Sequence, residues 1–436
     1  MDAEDQLKDL LPAGMKERGR ITLDALLAPA KDILHRRVFP NQSLSDDQIS
    51  LLLKLLSSMD TDKDPKAARV GEREGRIATP LLNELSGGFN HGIGRSGHVT
   101  APQPKAPGAS LMQQVTNSVA LDAIRKLGLR NVKAGLVTPL STGMSITLIL
   151  AMLRREEGIR RVLYPRVDHK SPIRGIALAG LEIVEVPTMI DGDSVQADMS
   201  SLEAMLAREK EAAVLATTTF FPPRISDPVK EIAKLCEGAD TPLVINNAYG
   251  VQSAKLMSTL SSAIDAGRVD AIVQSTDKNF MTPVGASIVV SPNEKKLESI
   301  AETYAGRASA APVVQTFVAL LSLGLERYNK LQETQKENKD TLHASLSDLA
   351  DSIDQRVLDV DNIVACAITM DDLDVREIGA RLYNLRVTGP RAVVKGEFGS
   401  CIDAYPHSYL VMNAAIGAAK TDIEMATAKL YKAVKG

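Results

Sequence analysis

The strongest constraint on this chain is an alternation. Between Gly135 and Val290 there are about seven short apolar runs of strand length: Gly135–Thr138, Arg161–Tyr164, Glu182–Val186, Ala213–Thr217, Leu243–Asn246, Ala271–Gln274 and Ala286–Val290. Segments of helical period, such as Met144–Arg155, Leu202–Arg208 and Val229–Cys236, separate most of them. Runs that are apolar throughout suit strands covered on both faces, and strand–helix alternation builds a parallel sheet. The expected fold is α/β, a mostly parallel seven-stranded sheet with helices on both faces. Ligands on such sheets bind beyond the carboxyl ends of the strands.

A helical N-terminal segment, residues 1–60, precedes this unit, with Leu23, Leu26 and Leu27 at helical spacing and a second run from Leu51 to Leu56. Its basic residues Lys16, Arg18, Arg20, Arg36 and Arg37 suit either a solvated face or a patch for an RNA backbone or partner subunit. The large α/β domain spans 61–310 and begins with a Gly- and Pro-rich stretch. Tyr304–Ser309 reads as a hinge. A long helical pattern, Val313–Leu349, then bridges to a small α+β domain within 311–436. Strands are expected there near Ala365–Thr369, Leu385–Thr388 and Tyr409–Met412, and helices at Val375–Tyr383 and Asp422–Val434.

Composition narrows the function. The net charge of −3 supplies no global field for nucleic acid, so RNA contacts must be local. The chain has no Trp and few other aromatics, which disfavours a base-stacking platform. Cys236, Cys366 and Cys401 show neither zinc spacing nor a disulfide framework and read as reduced thiols of a cytoplasmic protein; no metal is expected. The start, Met1–Asp5, is acidic and lacks a signal-peptide pattern, and the longest apolar runs are too short to span a bilayer.

Chemistry collects at the strand ends. The run Val269–Val273 leads into Ser275-Thr276-Asp277-Lys278, with another apolar run close behind. A lysine held between buried strands loses solvation, which favours its neutral, nucleophilic form; such lysines form Schiff bases with pyridoxal phosphate. The alternative is a strand-end lysine reaching for water. Ser141, Thr142 and Gly143 open a helix after the first strand, as a phosphate cradle would, though a plain helix cap has the same composition. His169, after the second strand, suits either a solvated loop, the better reading in isolation, or stacking on a planar ring, and Asn246, ending the fifth, either a polar turn or contact with a pyridine nitrogen. The segment Gly71–Gly108 combines glycines with Arg95, Ser96, Gln103 and Lys105, the makings of an anion-binding loop or of a structural one.

This order of features is the layout of fold-type-I pyridoxal-phosphate enzymes. Five runs carry a closer resemblance: His91–Gly97, Asn246–Gln252, Asp277–Phe280, Gly306–Ser309 and Arg386–Arg391. They closely resemble the O-phosphoseryl-tRNA(Sec) selenium transferases, and the likeness runs from about Met15 to the C-terminus. The resemblance implies that Lys278 carries pyridoxal 5'-phosphate, with Arg73 contacting it beside Ser141, Thr142, Gly143, His169, Asn246 and Ser275. It implies that Arg95, Ser96, Gln103 and Arg307, with Lys105 in the same loop, hold the phosphate of the phosphoseryl group. It places the N-terminal basic residues, Lys16, Arg18 and Arg20 among them, and Arg391 on the tRNA. It also implies a homotetramer built as a dimer of dimers. The implied reaction eliminates phosphate to give dehydroalanyl-tRNA, to which selenophosphate adds selenium. Most relatives of this fold carry Asp where Asn246 stands. Asp265 replaces a basic tRNA-contacting residue of eukaryotic members, and the chain's end at Gly436 falls short of their C-terminal extension. The alternatives are a pyridoxal-phosphate lyase or aminotransferase acting on a free amino acid, and an inactive tRNA-binding paralogue. No membrane or DNA partner is expected.

Overall fold

The structure, a computed structural model, describes residues 12–435. The acidic start Met1–Asp5 lies outside them. Four helices come first: α1 (Ala13–Arg36), α2 (Asp46–Ser57), α3 (Pro80–Leu85) and α4 (Pro107–Lys126). The large domain continues as β1 (Ala134–Thr138), α5 (Thr142–Glu157), β2 (Arg161–Pro165), α6 (Lys170–Leu178) and β3 (Glu182–Val186). There follow β4 (Thr188–Asp191), β5 (Ser194–Ala197), α7 (Met199–Arg208), β6 (Ala212–Thr217), α8 (Val229–Ala239) and β7 (Leu243–Asn246). Next are α9 (Ala254–Ala266), β8 (Ala271–Ser275), α10 (Thr276–Phe280), β9 (Ser287–Ser291) and α11 (Glu294–Glu302). The chain ends with α12 (Ala311–Asp351), β10 (Ala365–Thr369), α13 (Val375–Asn384), β11 (Arg391–Val393), β12 (Tyr409–Asn413) and α14 (Lys420–Lys435).

The seven expected strands form one sheet in the order β1-β9-β8-β7-β6-β2-β3. Neighbours from β8 to β3 run parallel, whereas β9 is antiparallel to both β8 and β1. Only the short α10 turn and a loop separate β8 from β9, too little chain for a parallel crossover, so the strand must return antiparallel. Every residue of β6, β7, β8 and β9 is buried, as a sheet covered on both faces requires. The β4–β5 hairpin, absent from the expectation, forms a separate two-stranded ribbon.

The small domain packs its own core, with Leu342 and Leu346 of α12 against Ile368, Leu382, Leu410 and Leu430. Its antiparallel sheet has the order β10-β12-β11. The strand expected at Leu385–Thr388 is instead the turn that ends α13. Leu385, Arg386 and Val387 donate their amides back to Arg381, Tyr383 and Leu382, and Arg386 takes φ 61°. With those amides spent, the strand begins at Arg391.

At the other end, α2 opens with a reciprocal cap: Gln48 N donates to Ser45 Oγ at 3.3 Å and Ser45 N to Gln48 Oε1 at 2.9 Å. The α1–α2 connector enters a break in α12, where Gly324 takes φ 60°, ψ 169°. A Cβ there would lie 2.8 Å from the Gln42 carbonyl carbon. The freed backbone groups are met across the gap. Leu44 N donates to Leu321 O (2.9 Å), Leu325 N to Pro40 O (2.9 Å), Glu326 N to Asn41 O (3.0 Å) and Ser43 Oγ to Leu323 O (2.8 Å).

Candidate active site

The end of β8 sets the position of Lys278. Asn279 Nδ2 donates to Ser275 O and Ala248 O, both at 2.7 Å, and Gln252 Nε2 donates to Lys278 O at 2.8 Å. Met281, with φ 54°, turns the chain toward β9. The backbone is therefore locked while the side chain, 32% exposed, enters a cavity of about 220 Å³. Its Nζ lies 3.5 Å from Ser275 Oγ, 3.7 Å from the Asp277 carboxylate and 5.4 Å from the centre of the Tyr249 ring. Lys278 is thus less buried than the flanking strands led us to expect.

The same cavity is lined by Ser141, Thr142, Gly143, His169, Asn246 and Ser275. The first-turn amides of a helix have no partners of their own, and here the Ser141 side chain makes no cap bond. Thr142 Oγ1, Thr217 Oγ1 and Thr219 Oγ1 are buried without a hydrogen-bond partner, and all three residues line the cavity. A Cβ on Gly143 would strike the Ser171 hydroxyl where it stands, so a larger residue there would have to turn that hydroxyl away. An amine, unpartnered donors at a helix start and a half-buried aromatic wall fit pyridoxal phosphate.

His169 faces Phe220, ring centres 5.7 Å apart. Its burial, with lesser contributions from Lys278 and Arg391, holds its pKa below the usual imidazole range, so at neutral pH it is an uncharged plate. Asn246 is buried, and its Oδ1 accepts from Ala248 N at 3.2 Å. With the oxygen engaged, the Nδ2 donor is the end left for a ring nitrogen.

A second cavity, about 550 Å³, holds Arg73, Glu74, Arg76, His91 and Arg307. The Gly-rich loop and the segment after α11 are zipped together to form it. Arg307 donates to His91 O, Ile93 N donates to Ala308 O (3.0 Å), Ala308 N to Ile93 O (3.3 Å) and Val99 N to Ala301 O (3.1 Å). Arg95 and His98 close a tight hairpin through paired backbone bonds of 2.9 and 3.0 Å. It presents exposed Arg95 and Ser96, and His98 Nε2 ties it to Glu298 at 2.9 Å. Lys105 is paired with buried Glu74, and Gln103 accepts from Lys105 N only at 3.5 Å. Burial foremost, then the neighbouring Arg73, pushes the Arg307 pKa down, against the opposing pull of Glu74.

None of Arg73, Arg95, Ser96, Gln103, Lys105 and Arg307 lines the Lys278 cavity of the same chain. Arg73 therefore lies apart from the other residues assigned to the cofactor, because the 71–76 loop packs over Asp62 and His91.

Two residues from the small domain reach the Lys278 cavity region, Arg391 first. Its guanidinium lies 5.2 and 5.4 Å from the ring centres of Phe220 and Phe221, which wall the Lys278 cavity. Cys401 is the second: its Sγ accepts from Asp168 N at 3.2 Å, next to His169. Burial pushes that thiol up to about 12, so it stays protonated and unreactive. The tether is Asp168. Its carboxylate accepts from Gly399 N (2.7 Å), Cys401 N (2.9 Å) and Arg166 Nε (2.9 Å), binding the small domain to the end of β2. On α1, Lys16 is half-buried and Arg18 exposed, while Arg20 forks onto Glu17 and Asp24 at 2.7 and 3.2 Å. Asp265 accepts from Asn131 Nδ2 at 2.5 Å. Among the described residues no helix is long and apolar enough to cross a membrane.

Sequence reasoning passed over Tyr249, Phe220, Phe221 and the buried pair His91–Asp62. Phe220 and Phe221 carry no local motif; Tyr249 and His91 do lie in the runs Asn246–Gln252 and His91–Gly97, which singled out the segments but not these side chains.

The model of the family described as O-phosphoseryl-tRNA(Sec) selenium transferase matches residues 59–435. The chain is similar to the Methanopyrus kandleri protein of that description, 47% identical over 99% of this chain and 100% of the relative. It is likewise similar to the crystal structure of an archaeal O-phosphoseryl-tRNA(Sec) selenium transferase, with a TM-score of 0.94, 44% identity and 98% of each chain covered. A sphingosine-1-phosphate lyase of Burkholderia pseudomallei shares the fold alone, with a TM-score of 0.62 at 15% identity over 98% of this chain and 91% of that one.

Proposed function

The chain belongs to the O-phosphoseryl-tRNA(Sec) selenium transferase family, and from that premise we propose how its own residues carry the reaction. It is a pyridoxal-phosphate-dependent selenium transferase that converts O-phosphoseryl-tRNA(Sec) to selenocysteinyl-tRNA(Sec). The observation that carries the residue assignment is the pairing of two kinds of cavity: one with an amine and an anion cradle, one where Arg73, Arg76 and Arg307 gather.

Pyridoxal phosphate, when bound, supplies an electron sink that acidifies the Cα–H of an attached amino acid. Lys278 would hold it, and Thr142 and Gly143 at the α5 N-terminus would bind its phosphate. Neutral His169 covers the ring. Asn246 offers an N–H to the ring nitrogen, which suits an unprotonated nitrogen and a weaker sink than Asp would maintain. That weaker sink would favour prompt loss of a good leaving group.

Lys278 Nζ takes the Cα proton of the phosphoseryl group, with Ser275 and Asp277 steering the amine. The ester to tRNA removes the α-carboxylate charge, which eases that transfer. Arg95, Ser96, Gln103 and Arg307, with Lys105 released from Glu74, receive the phosphate as charge develops on it. The elimination leaves dehydroalanyl-tRNA, and selenophosphate then delivers selenium to Cβ.

Arg95 and Arg307 lie in a different cavity from Lys278 of the same chain. That supports an active site completed by a second copy, in a homotetramer assembled as a dimer of dimers. Lys16, Arg18, Arg20 and Arg391 contact the tRNA, Arg391 from the rim of the Lys278 cavity. The protein works in the cytoplasm.

The test compares phosphoserine esterified to its tRNA with free O-phosphoserine, with selenophosphate present, on cofactor-loaded protein. Phosphate and selenocysteine appear only from the tRNA-linked substrate if the reading is right. Equal turnover of the free amino acid would replace it with a small-molecule lyase.

A further inference from the structure

The Arg73–Arg307 cavity contains a charge of the wrong sign for an anion pocket. Two carboxylates line it. Glu72 is 88% exposed and lies out in solvent beside Arg73. The Glu74 side chain is 9% exposed and is ion-paired with Lys105 Nζ. A carboxylate fixed beside arginines opposes any anion that enters among them.

The loop is folded to hold that carboxylate. Arg76 donates to Gly71 O at 2.9 Å and also to Arg69 O, so residues 69–76 turn back on themselves. A Cβ on Gly71 would fall on Glu74 Oε1 and lie 3.2 Å from Lys105 Nζ, so glycine leaves the ion pair its room. Lys105 meets it from a fixed backbone, since Thr61 N and Thr61 Oγ1 both donate to Lys105 O at 3.0 Å. The Lys105 side chain is 46% exposed, and Glu74 is the one hydrogen-bond partner of Nζ among the described residues. The head group can swing while its backbone stays.

Charge is shared across the pocket. The Lys105 hydrogen bond foremost, helped by the charges of Lys105, His91 and Arg76, holds the Glu74 pKa below the usual carboxylate range against the opposing effect of burial. Glu74 in turn pulls against the lowering of the Arg307 pKa. At neutral pH the pocket therefore carries its own anion.

The reaction handles phosphate twice. A phosphoseryl group arrives with about −1.5 to −2 charge and gives up phosphate; selenophosphate then brings a second. Arginines cannot relax their hold by losing a proton. A pocket of cations alone would retain the first product.

We propose that Glu74 is the resident counter-anion of this pocket, giving up Lys105 to the substrate phosphate and reclaiming it to expel the product phosphate. The inference rests on the reading that this phosphate docks with Arg307 and Lys105. No covalent bond changes in the exchange. One ion pair replaces another, and the pocket is left with its own carboxylate back in place.

The experiment titrates inorganic phosphate into cofactor-loaded protein by calorimetry, so that the cofactor cradle is already filled. Glu74→Gln keeps the size of the side chain and an oxygen for Lys105 but removes the charge. It should bind phosphate at least about tenfold more tightly than wild type, because a like charge has left the site. A merely structural role would weaken binding instead. In a Lys105→Ala background the same substitution should gain less than about threefold. In steady state, with phosphoseryl-tRNA and selenophosphate, added phosphate should inhibit Glu74→Gln at about tenfold lower concentration than wild type. Unchanged or weaker affinity in Glu74→Gln would overturn the proposal. An undiminished gain without Lys105 would make Glu74 a fixed repulsive charge and overturn the exchange, and unaltered inhibition would overturn the role in release. Phosphate binding that Arg307→Ala leaves untouched, or none in wild type and Glu74→Gln alike, would instead overturn the docking reading.

Discussion

Removing the Asp168 carboxylate should loosen the small domain over the cavity by an amount the structure lets us estimate. The side chain is 2% exposed and takes four hydrogen bonds: two from Arg166 (2.9 and 3.4 Å) and one each from the amides of Gly399 (2.7 Å) and Cys401 (2.9 Å). Asp168→Ala strands two buried amides at about 1–3 kcal/mol each, or roughly 2–6 kcal/mol together. Arg166 keeps Asp403 at 2.8 Å, so no isolated buried cation adds to that figure. Asp168→Asn retains one oxygen for both amides and turns its NH₂ toward Arg166, giving up mainly the ion pair, about 1–2 kcal/mol. Hydrogen exchange at Gly399 and Cys401 in the loaded protein reads this directly, since about 1.4 kcal/mol is tenfold in protection. We expect a loss of about tenfold in the Asn variant and at least about thirtyfold in the Ala variant, by the same conversion. Protection within about threefold of wild type in Asp168→Ala would refute the idea that this carboxylate is the tether.

Other consequences are as accessible. Gly143→Ala, which drives a methyl into Ser171, should weaken cofactor binding by at least about tenfold, for a cost of 1.4 kcal/mol or more; unchanged affinity by absorbance titration would remove the cradle from the argument. Mixing separately inactive Lys278→Ala and Arg307→Ala proteins, then letting subunits exchange, should restore part of the phosphate-release activity. No recovery in confirmed mixed oligomers would place both groups in one chain's site. Burial raises the Asp60 pKa to about 6 despite amides donated by Gly108 and Ala109. A carboxyl raised in the folded state stabilises it below its unfolded pKa, and that contribution disappears as pH climbs through the folded value. Wild type minus Asp60→Asn stability should therefore fall between about pH 4 and 7 by on the order of 2 kcal/mol; a difference independent of pH would refute the assignment.

Local pattern carried most of the fold. Strands such as Glu182–Val186 and Leu243–Asn246 emerged at their observed limits because short β-branched, apolar-rich runs are legible from their own residues. The hairpin β4–β5 was not legible, since alternating short runs such as Thr188–Asp191 have the composition of a loop. The turn after α13 was mistaken for a strand because Leu385 and Val387 are apolar, while the deciding bonds are backbone ones. Within the candidate site, Ser141, Thr142, Gly143, His169, Asn246, Ser275 and Lys278 do converge, each announced by a strand end. What sequence could not reveal was pairing at a distance. Arg391 reaches Phe220 across the small domain, Cys401 reaches Asp168 over 233 positions, and Arg73 settles beside Arg307 rather than Lys278.

The stitch between the α1–α2 connector and the break at Gly324 also has a temporal meaning. Ser43 and Leu323 are 280 positions apart, and Leu325 and Glu326 supply the matching amides. While the ribosome makes the chain, the first helices emerge long before this anchor exists, although domains usually fold as they appear. Anchors to α4, such as Phe39 N to Asp122 Oδ2 at 2.8 Å, are available early, but this stitch waits until the bridging helix has left the tunnel. Stalled nascent chains ending before Leu325 should be cut by protease between α1 and α2, and released full-length chains should resist. Assembly of this protein therefore closes from its end back to its beginning.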